Sequence, residues 1–476
     1  MATISSAGLG SGLDVNSIIT QLMAIERVPL TKLQTKASTI QSTVSEYGKV
    51  KSAVSTLRDL SSKLASITTW AQTVSTSSNT TAVTSSTNGS VPGTYSVAVQ
   101  TLASAQTLAT GVYASTTATP GAGTLQIQLG TWGAGQTSFT PKTGTAAIDI
   151  AIAATDTLTD VRDKINAAGA GVTALVMTDA GGSRLLLRSN TTGAENAFRT
   201  TVTDADGVNN DAAGLSALAF DAGSKVMTQS QTASNAAATL NGIAVSSTTN
   251  TLASIVDGLT LNLAAVTTAP VIVDVVIDKD ALKTTMTSFA TAYSDLVKLI
   301  ATDTKYDAAS RVAGILQGDS AAVGMQRQMR SLAGAVSSAS ATFGRLSDAG
   351  FQLQSDGSMT VDATKIGNAL ANLPELKKMF SSASLTDPTA DGFGKRFRVL
   401  TAAMLASDGS LTTRTDGLSA ALTRNQKDQA HFNDRLTATE KRLRAQYTAL
   451  DATMAKLNGV SSYVTQQIAQ YNRSSN

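Results

Sequence analysis

A single histidine, His431, and no cysteine limit the chemistry open to this chain. Without thiols there are no disulfides, thiolate zinc sites, iron–sulfur clusters or cysteine nucleophiles. His431 lies between Ala430 and Phe432, with no second His, Cys or carboxylate pair to share a metal. The run Gly8-x-Gly10-x-Gly12 invites a phosphate-loop reading, but its spacing is wrong for G-x-G-x-x-G and no strand precedes it. It reads as a flexible tail. The stretch Asp204-Ala205-Asp206-Gly207-Val208-Asn209-Asn210-Asp211 resembles a calcium loop superficially. An EF-hand needs a ligand at position 208 and a Glu at 215, where this chain has Val208 and Leu215. A solvated Asx turn is expected there. Lys441-Arg442-x-Arg444 and Lys395-Arg396-Phe397-Arg398 could meet phosphates, but at helical spacing they read as solvated flanks. No G-x-S-x-G, H-E-x-x-H or P-loop is present. The expectation is a chain that is not an enzyme, with no catalytic residue, no cofactor and no metal ligand. Its working residues should be those that touch other chains.

Those residues need elements to hold them. The chain has 476 residues, enough for roughly three domains at ~100–200 residues each. Hydrophobic residues make up 42%, so a sizeable core is available and wholesale disorder is excluded. Charged residues are only 15%, against about 25% in typical domains, and the net charge of +3 is too small to point to nucleic acid. The longest apolar stretch, residues 264–277, is broken by Thr267, Thr268, Pro270 and Asp274 and falls short of the ~20 residues of a membrane span. Residues 1–14 show no cationic segment leading into an apolar one. Export without a cleaved signal, or residence in the cytoplasm, is therefore expected.

Both ends read as helix. Asp14 is placed to cap a helix carrying Val15, Ile18, Ile19, Leu22 and Met23, which Pro29 should break or kink. Two columns of seven follow, Ile40–Tyr47–Val54 and Val50–Leu57–Leu64, offset by three as in a coiled-coil seam. At the other end, Leu422, Gln429, Leu436, Leu443, Leu450, Leu457, Val464 and Tyr471 recur every seven residues. Phe432, Tyr447, Met454, Val460 and Ile468 line neighbouring positions. Such a helix, over about residues 415–473, extends roughly 80 Å, with Gly459 as the expected bend. A seam of that length needs a partner helix.

The middle alternates in strand fashion at Tyr95-Ser96-Val97-Ala98-Val99 and from Val271 to Ile277. Further strands are expected at 125–129, 172–177 and 184–189, with one short helix at 157–168 and a Ser/Thr/Asn-rich connector at 75–93. Leu282, Met286, Phe289, Tyr293, Leu296, Val297 and Ile300 then form one helical stripe. A hairpin is expected over 351–361, turning at Ser355-Asp356-Gly357-Ser358. The fold class is α+β multidomain. N- and C-terminal helices form a coiled-coil or helical-bundle stalk, and antiparallel β-rich domains are inserted in the middle. The expected division is residues 1–40 as a terminal leg helix and tail pairing with 430–476; 41–75 plus 278–429 as the stalk; 76–108 plus 232–277 as an inner β-rich domain; and 109–231 as an outer one.

Four stretches also carry a resemblance. Gly8-Leu9-Gly10-Ser11-Gly12-Leu13-Asp14, with Ile18-Ile19-x-x-Leu22-Met23 and Glu26-x-x-Pro29-Leu30, resembles the N-terminus of the bacterial flagellar filament-capping proteins, the hook-associated protein 2 (FliD) family. Leu457-Asn458-Gly459-Val460-Ser461-Ser462-Tyr463-Val464-Thr465-Gln466-Gln467 resembles that family's C-terminal signature. Leu240-Asn241-Gly242-Ile243 through Asn250 to Gly258-Leu259-Thr260-Leu261 is similar to its strand-rich segment. Leu158-Thr159-Asp160-Val161-Arg162-Asp163-Lys164-Ile165-Asn166-Ala167, continuing to Leu186-Leu187-Arg188-Ser189, resembles the flagellin hook IN motif, so the outer domain is the one expected to carry it.

The resemblance implies a structural cap at the distal tip of the flagellum, secreted through flagellar type III export, which retains exported flagellin and promotes its folding and insertion. It implies a homo-oligomer, with a pentamer expected and a tetramer or hexamer left open. It further implies contact with flagellin subunits, with a cytoplasmic export chaperone before secretion and, in some members, with host surface glycans. No nucleic acid and no membrane insertion are implied. The expected partner-interface residues are Leu22 and Met23 on the N-terminal side and Leu436, Leu443, Leu450, Leu457, Val464 and Ile468 on the C-terminal side. The alternative readings are another axial flagellar component, such as a hook–filament junction protein or flagellin, and a secreted adhesin or carbohydrate-binding protein.

Overall fold

A computed structural model describes residues 14–309 and 311–474, with side chains as far as residue 472. The glycine run Gly8, Gly10 and Gly12, and the tail before Asp14, lie outside the described residues. Among those described, the α-helices are α1 (Val15–Ala65), α2 (Leu158–Ala168), α3 (Lys279–Thr304), α4 (Ser320–Ala333), α5 (Ala363–Ala369), α6 (Leu373–Ser381), α7 (Phe393–Leu405) and α8 (Ser410–Ser474). The chain divides into two compact units, one of residues 1–69 and 280–476 and one of residues 70–279.

The first unit is helical. Asp14 caps α1 as expected, its Oδ1 accepting the Ser17 N–H at 3.0 Å. Pro29 does not end the helix: α1 runs through it for 51 residues. The ring removes the bond to the Ile25 carbonyl, but Val15, Ile19 and Met23 before it and Leu30 after it are buried against one neighbour, so packing holds both halves in line. Tyr47, Val50, Val54, Leu57 and Leu64 of the two expected columns are buried.

All seven residues of the α3 stripe are buried. Phe289 stands edge-on to Phe351 and Phe397, with ring centroids 6.0 and 5.2 Å apart. The expected hairpin forms, with Phe351–Leu353 pairing Met359–Val361 in register. Asp356 Oδ1 accepts the Ser358 N–H at 2.9 Å, and Gly357 takes φ +87°, a left-handed value that favours glycine. Ser294 of α3 locks this hairpin in place, donating to the Met359 carbonyl at 2.6 Å and accepting its N–H at 2.8 Å.

The second unit contains two cores. Five antiparallel strands, in the order Thr73–Ser77, Val271–Ile277, Gly93–Thr101, Ala236–Leu240, Ile243–Ser247, share one core with a three-stranded sheet, Thr251–Val256, Leu259–Leu263, Val83–Thr87. Residues 75–93, expected as a connector, thus hold most of one strand and all of another. Thr and Ser alternate there with inward groups such as Val83, and the β-branched character of Thr outweighs its loop-like polarity.

The other core lies between two four-stranded sheets and α2. One sheet joins Ala197–Asp204, Gly123–Trp132, Phe139–Pro141 and Ile148–Ile152; the other orders Thr228–Gln231, Thr107–Ala109, Gly182–Ser189, Val172–Asp179. Helix α2 begins with a capping box: Thr157 Oγ1 accepts the Asp160 N–H at 3.2 Å, and Asp160 Oδ2 accepts the Thr157 N–H at 2.9 Å. Its Leu158, Val161 and Ile165 are buried in this core. Asn166 reaches the sheet edge like a short strand, accepting the Ala174 N–H at 2.7 Å and donating to the Ala174 carbonyl at 3.0 Å.

Candidate partner interface

Helix α8 is 65 residues long, roughly 95 Å at 1.5 Å per residue, and runs through Gly459 without interruption. One mid-helix glycine costs ~1 kcal/mol, too little to divide a helix of this length. Two pairings fix how α8 lies on α1. Tyr47 interacts with Arg414, and Asn16 Oδ1 meets Arg444 Nη1 at 3.5 Å. Moving 31 residues back along α1 therefore corresponds to moving 30 forward along α8, so the helices are antiparallel and in register.

At the start of α1 this register brings Met23 and Leu436 into one cluster with Val15, Ile19 and Leu30, fringed by Phe432, Leu443 and Tyr447. Met23 is 4% exposed and Leu436 7%. Leu22, one residue from Met23, is turned about 100° around the helix and is 38% exposed, beside exposed Ile25 and Val28. Beyond Tyr447, α8 passes the first described residue of α1. From there Leu450, Leu457, Val460, Tyr463, Val464, Ile468 and Tyr471 are all exposed, Leu457 and Ile468 by 57% each. The eight expected interface residues thus divide. Met23, Leu436 and Leu443 pack inside the chain's own helix pair. Leu22, Leu450, Leu457, Val464 and Ile468 face outward.

Sequence reasoning missed the inner edge of the α8 seam. Leu411, Leu418 and Asn425 are buried, seven apart, in line with Phe432. The period was present in the sequence, but Asn425 concealed it by being polar. Its Oδ1 accepts a bond from Gln429 Nε2 at 2.7 Å, and a buried Asn in a seam fixes register.

Also missed was the polar clasp near the other end of the pair. Asp319 caps α4, its Oδ1 accepting the Ala321 and Ala322 N–H groups at 3.0 and 3.3 Å, while its Oδ2 takes Arg414 Nη2 at 2.7 Å and Nε at 2.9 Å. Burial pushes the Tyr47 phenol far above its ordinary range, and the Asp319 carboxylate adds to that. Burial also opposes ionisation of Asp319, but the bonds from Arg414 and the Ala322 N–H, with the Tyr47 phenol close by, outweigh it and hold the carboxyl below its usual range.

The remaining motifs have local duties. His431 is exposed on α8. Lys395 pairs with Asp391 at 2.8 Å, Arg396 lies over the Phe393 ring, and Phe397 is buried. Arg444 pairs with Glu440 at 2.9 Å. Asp204 is buried, and its Oδ2 accepts the Ser216 N–H at 2.8 Å, so this carboxylate organises a turn. Among the described residues no three His, Cys, Asp or Glu side chains converge on a metal-sized space, and no helix is long and apolar enough to cross a membrane.

Family models match the chain in three places: flagellar hook-associated protein 2 N-terminus over residues 11–106, flagellin hook IN motif over 137–191, and flagellar hook-associated protein 2 C-terminus over 233–459. The chain is 34% identical to flagellar hook-associated protein 2 of Escherichia coli K12, covering 98% of both chains. It is 29% identical to the protein of that name from Salmonella typhimurium, covering 100% of both. A crystal structure of domains D1–D2–D3 of the flagellar cap protein FliD from Escherichia coli matches 79% of this chain and 99% of its own, with a TM-score of 0.60 and 29% identity.

Proposed function

The chain belongs to the flagellar hook-associated protein 2 family, and from that premise we infer a protein that caps the bacterial flagellar filament. It is a structural component of the distal tip of the flagellum. It works as a homo-oligomer, a pentamer, and it acts on flagellin through protein contacts that retain each exported subunit while it folds and inserts. Before that it meets an export chaperone in the cytoplasm and leaves through the flagellar type III route. Residues 1–40 with 430–476 serve as the leg, 41–75 with 278–429 as the stalk, 76–108 with 232–277 as the inner β-rich domain, and 109–231 as the outer one.

The observation that supports the leg most directly is the stripe from Leu450 to Tyr471. An apolar seam of three further heptads, outward-facing on a helix whose first half is already paired, is a surface in want of a helix. Leu22 extends the same role to α1. Seams of this kind re-pair among similar helices, which gives a cap a way to shift as subunits are added beneath it. The test is complementation of a cap-null strain by a chain lacking about its last 40 residues. We expect the truncated chain to leave residues 70–279 folded by circular dichroism and to restore no motility. Restored motility would remove the leg from the mechanism.

A further inference from the structure

Two exposed sheet faces of the second unit are complementary to each other. The first lies on strands Gly182–Ser189 and Val172–Asp179. Leu185 and Leu187 point into the core, so Arg184, Leu186 and Arg188 point away from it. Across from them stand Met177, Leu175 and Thr173, in the pairs Met177 with Arg184, Leu175 with Leu186 and Thr173 with Arg188. Leu175 is 59% exposed and Met177 46%. Neither guanidinium enters an ion pair among the described residues. Asp179, the one acid in these strands, is engaged by the Gly181 N–H at 2.7 Å.

The second face lies on strand Val271–Ile277. Val271, Val273 and Val275 are buried, which turns Ile272, Asp274 and Val276 outward beside exposed Val74. Pairing continues one step past the strand, where the Asp278 N–H donates to the Gln72 carbonyl at 2.9 Å, so the alternation carries on to Asp278. The five strands of this sheet contain no Lys or Arg. Asp274 Oδ1 accepts the Thr94 hydroxyl at 2.7 Å.

The order on one face is Arg184, Leu186, Arg188; on the other it is Asp274, Val276, Asp278. In each triplet the charges stand four strand residues apart, roughly 13 Å, with an aliphatic side chain midway. We propose that these faces dock between neighbouring copies of the chain, Arg184–Leu186–Arg188 of one against Asp274–Val276–Asp278 of the next. Every copy carries one face of each kind, so the contact is head-to-tail, and a fixed rotation between copies closes it into a ring. Leu186, Leu175 and Met177 supply the apolar centre against Val276, Ile272 and Val74, and the charges at both ends set the register along the strands. The proposal rests on the self-assembling cap reading and names the surface that reading requires.

The experiment uses the full-length chain and two double variants, Arg184→Glu with Arg188→Glu and Asp274→Arg with Asp278→Arg. Circular dichroism checks that each folds, and sedimentation equilibrium measures self-association over a concentration series. We expect each double variant alone to associate at least about tenfold more weakly than the parent. An equimolar mixture of the two should recover much of the parent's association, because wherever the two variants alternate each face meets its opposite charge; in a five-membered ring one like-charged contact remains. A double variant that associates like the parent overturns the proposal. So does a mixture no better than its components, and so does a parent that stays monomeric throughout. None of these results touches the leg, whose own test is the motility of the truncated chain.

Discussion

Arg414 closes on the Asp319 carboxylate with Nη2 and Nε at 2.7 and 2.9 Å, joining the start of α8 to the cap of α4 beside the buried ring of Tyr47. Three segments far apart in sequence meet there through one carboxylate that is only 6% exposed at its side chain. Removing the cation leaves that carboxylate buried and half-satisfied. Arg414→Ala should cost the first unit about 1–3 kcal/mol, read by urea unfolding, the lower end reflecting the partial exposure of the guanidinium. Because the folded-state carboxyl is depressed, its contribution is full above the ordinary carboxylate range and is lost as pH falls through the depressed value. The parent should therefore lose more stability on acidification than the variant does.

Interior and overhanging positions of one seam should separate stability from activity. Leu436→Ala removes a buried side chain and should cost about 2–4 kcal/mol in thermal or urea unfolding. Leu457→Ala and Ile468→Ala remove exposed side chains and should shift unfolding by less than about 0.5 kcal/mol. The same two substitutions should reduce swarming of a complemented cap-null strain. Full motility from the pair combined would count against a partner on that stripe.

Glu375 offers an acid-sensitive site of its own. It accepts bonds from Lys378 Nζ at 2.7 Å, the Ser340 hydroxyl at 2.8 Å and the Ala341 N–H at 2.7 Å, and these hold its carboxyl down at about 2. A depressed carboxylate stabilises the fold above its ordinary value of 4.5 and ceases to do so as pH falls towards about 2. Glu375→Gln should flatten the acid limb of a stability-against-pH curve in that window. A curve parallel to the parent's would refute the assignment.

Asn166 predicts a local effect. Its amide completes the edge of strand Val172–Asp179 at Ala174. Asn166→Ala should cost about 1 kcal/mol and accelerate hydrogen exchange at the Ala174 amide while leaving Leu187, deep in the same sheet, protected.

Legibility in the sequence followed the kind of force at work. The α3 stripe and the hairpin at Gly357 could be read because burial period and turn chemistry agree there. Pro29 and Gly459 were read as a break and a bend because local propensity was all the sequence offered; in the folded chain, packing around Pro29 and the length of α8 override it. Asn425 and the Asp319–Arg414 pair escaped because buried polar groups carry no periodic apolar signal. The α8 seam from Leu422 onward was visible, yet its spacing is the same where it meets α1 and where it overhangs. A heptad records that a partner is needed and not which chain supplies it.

The antiparallel register of α1 and α8 carries one last consequence. Because 31 residues between Asn16 and Tyr47 are matched against 30 between Arg414 and Arg444, the two stretches act as a pair of rulers laid end to opposite end. A codon gained in one ruler throws every later contact out of step unless the other gains one as well. Length change during descent should therefore collect in the loops of residues 70–279, while these two segments, nearly four hundred positions apart in the gene, keep a common measure.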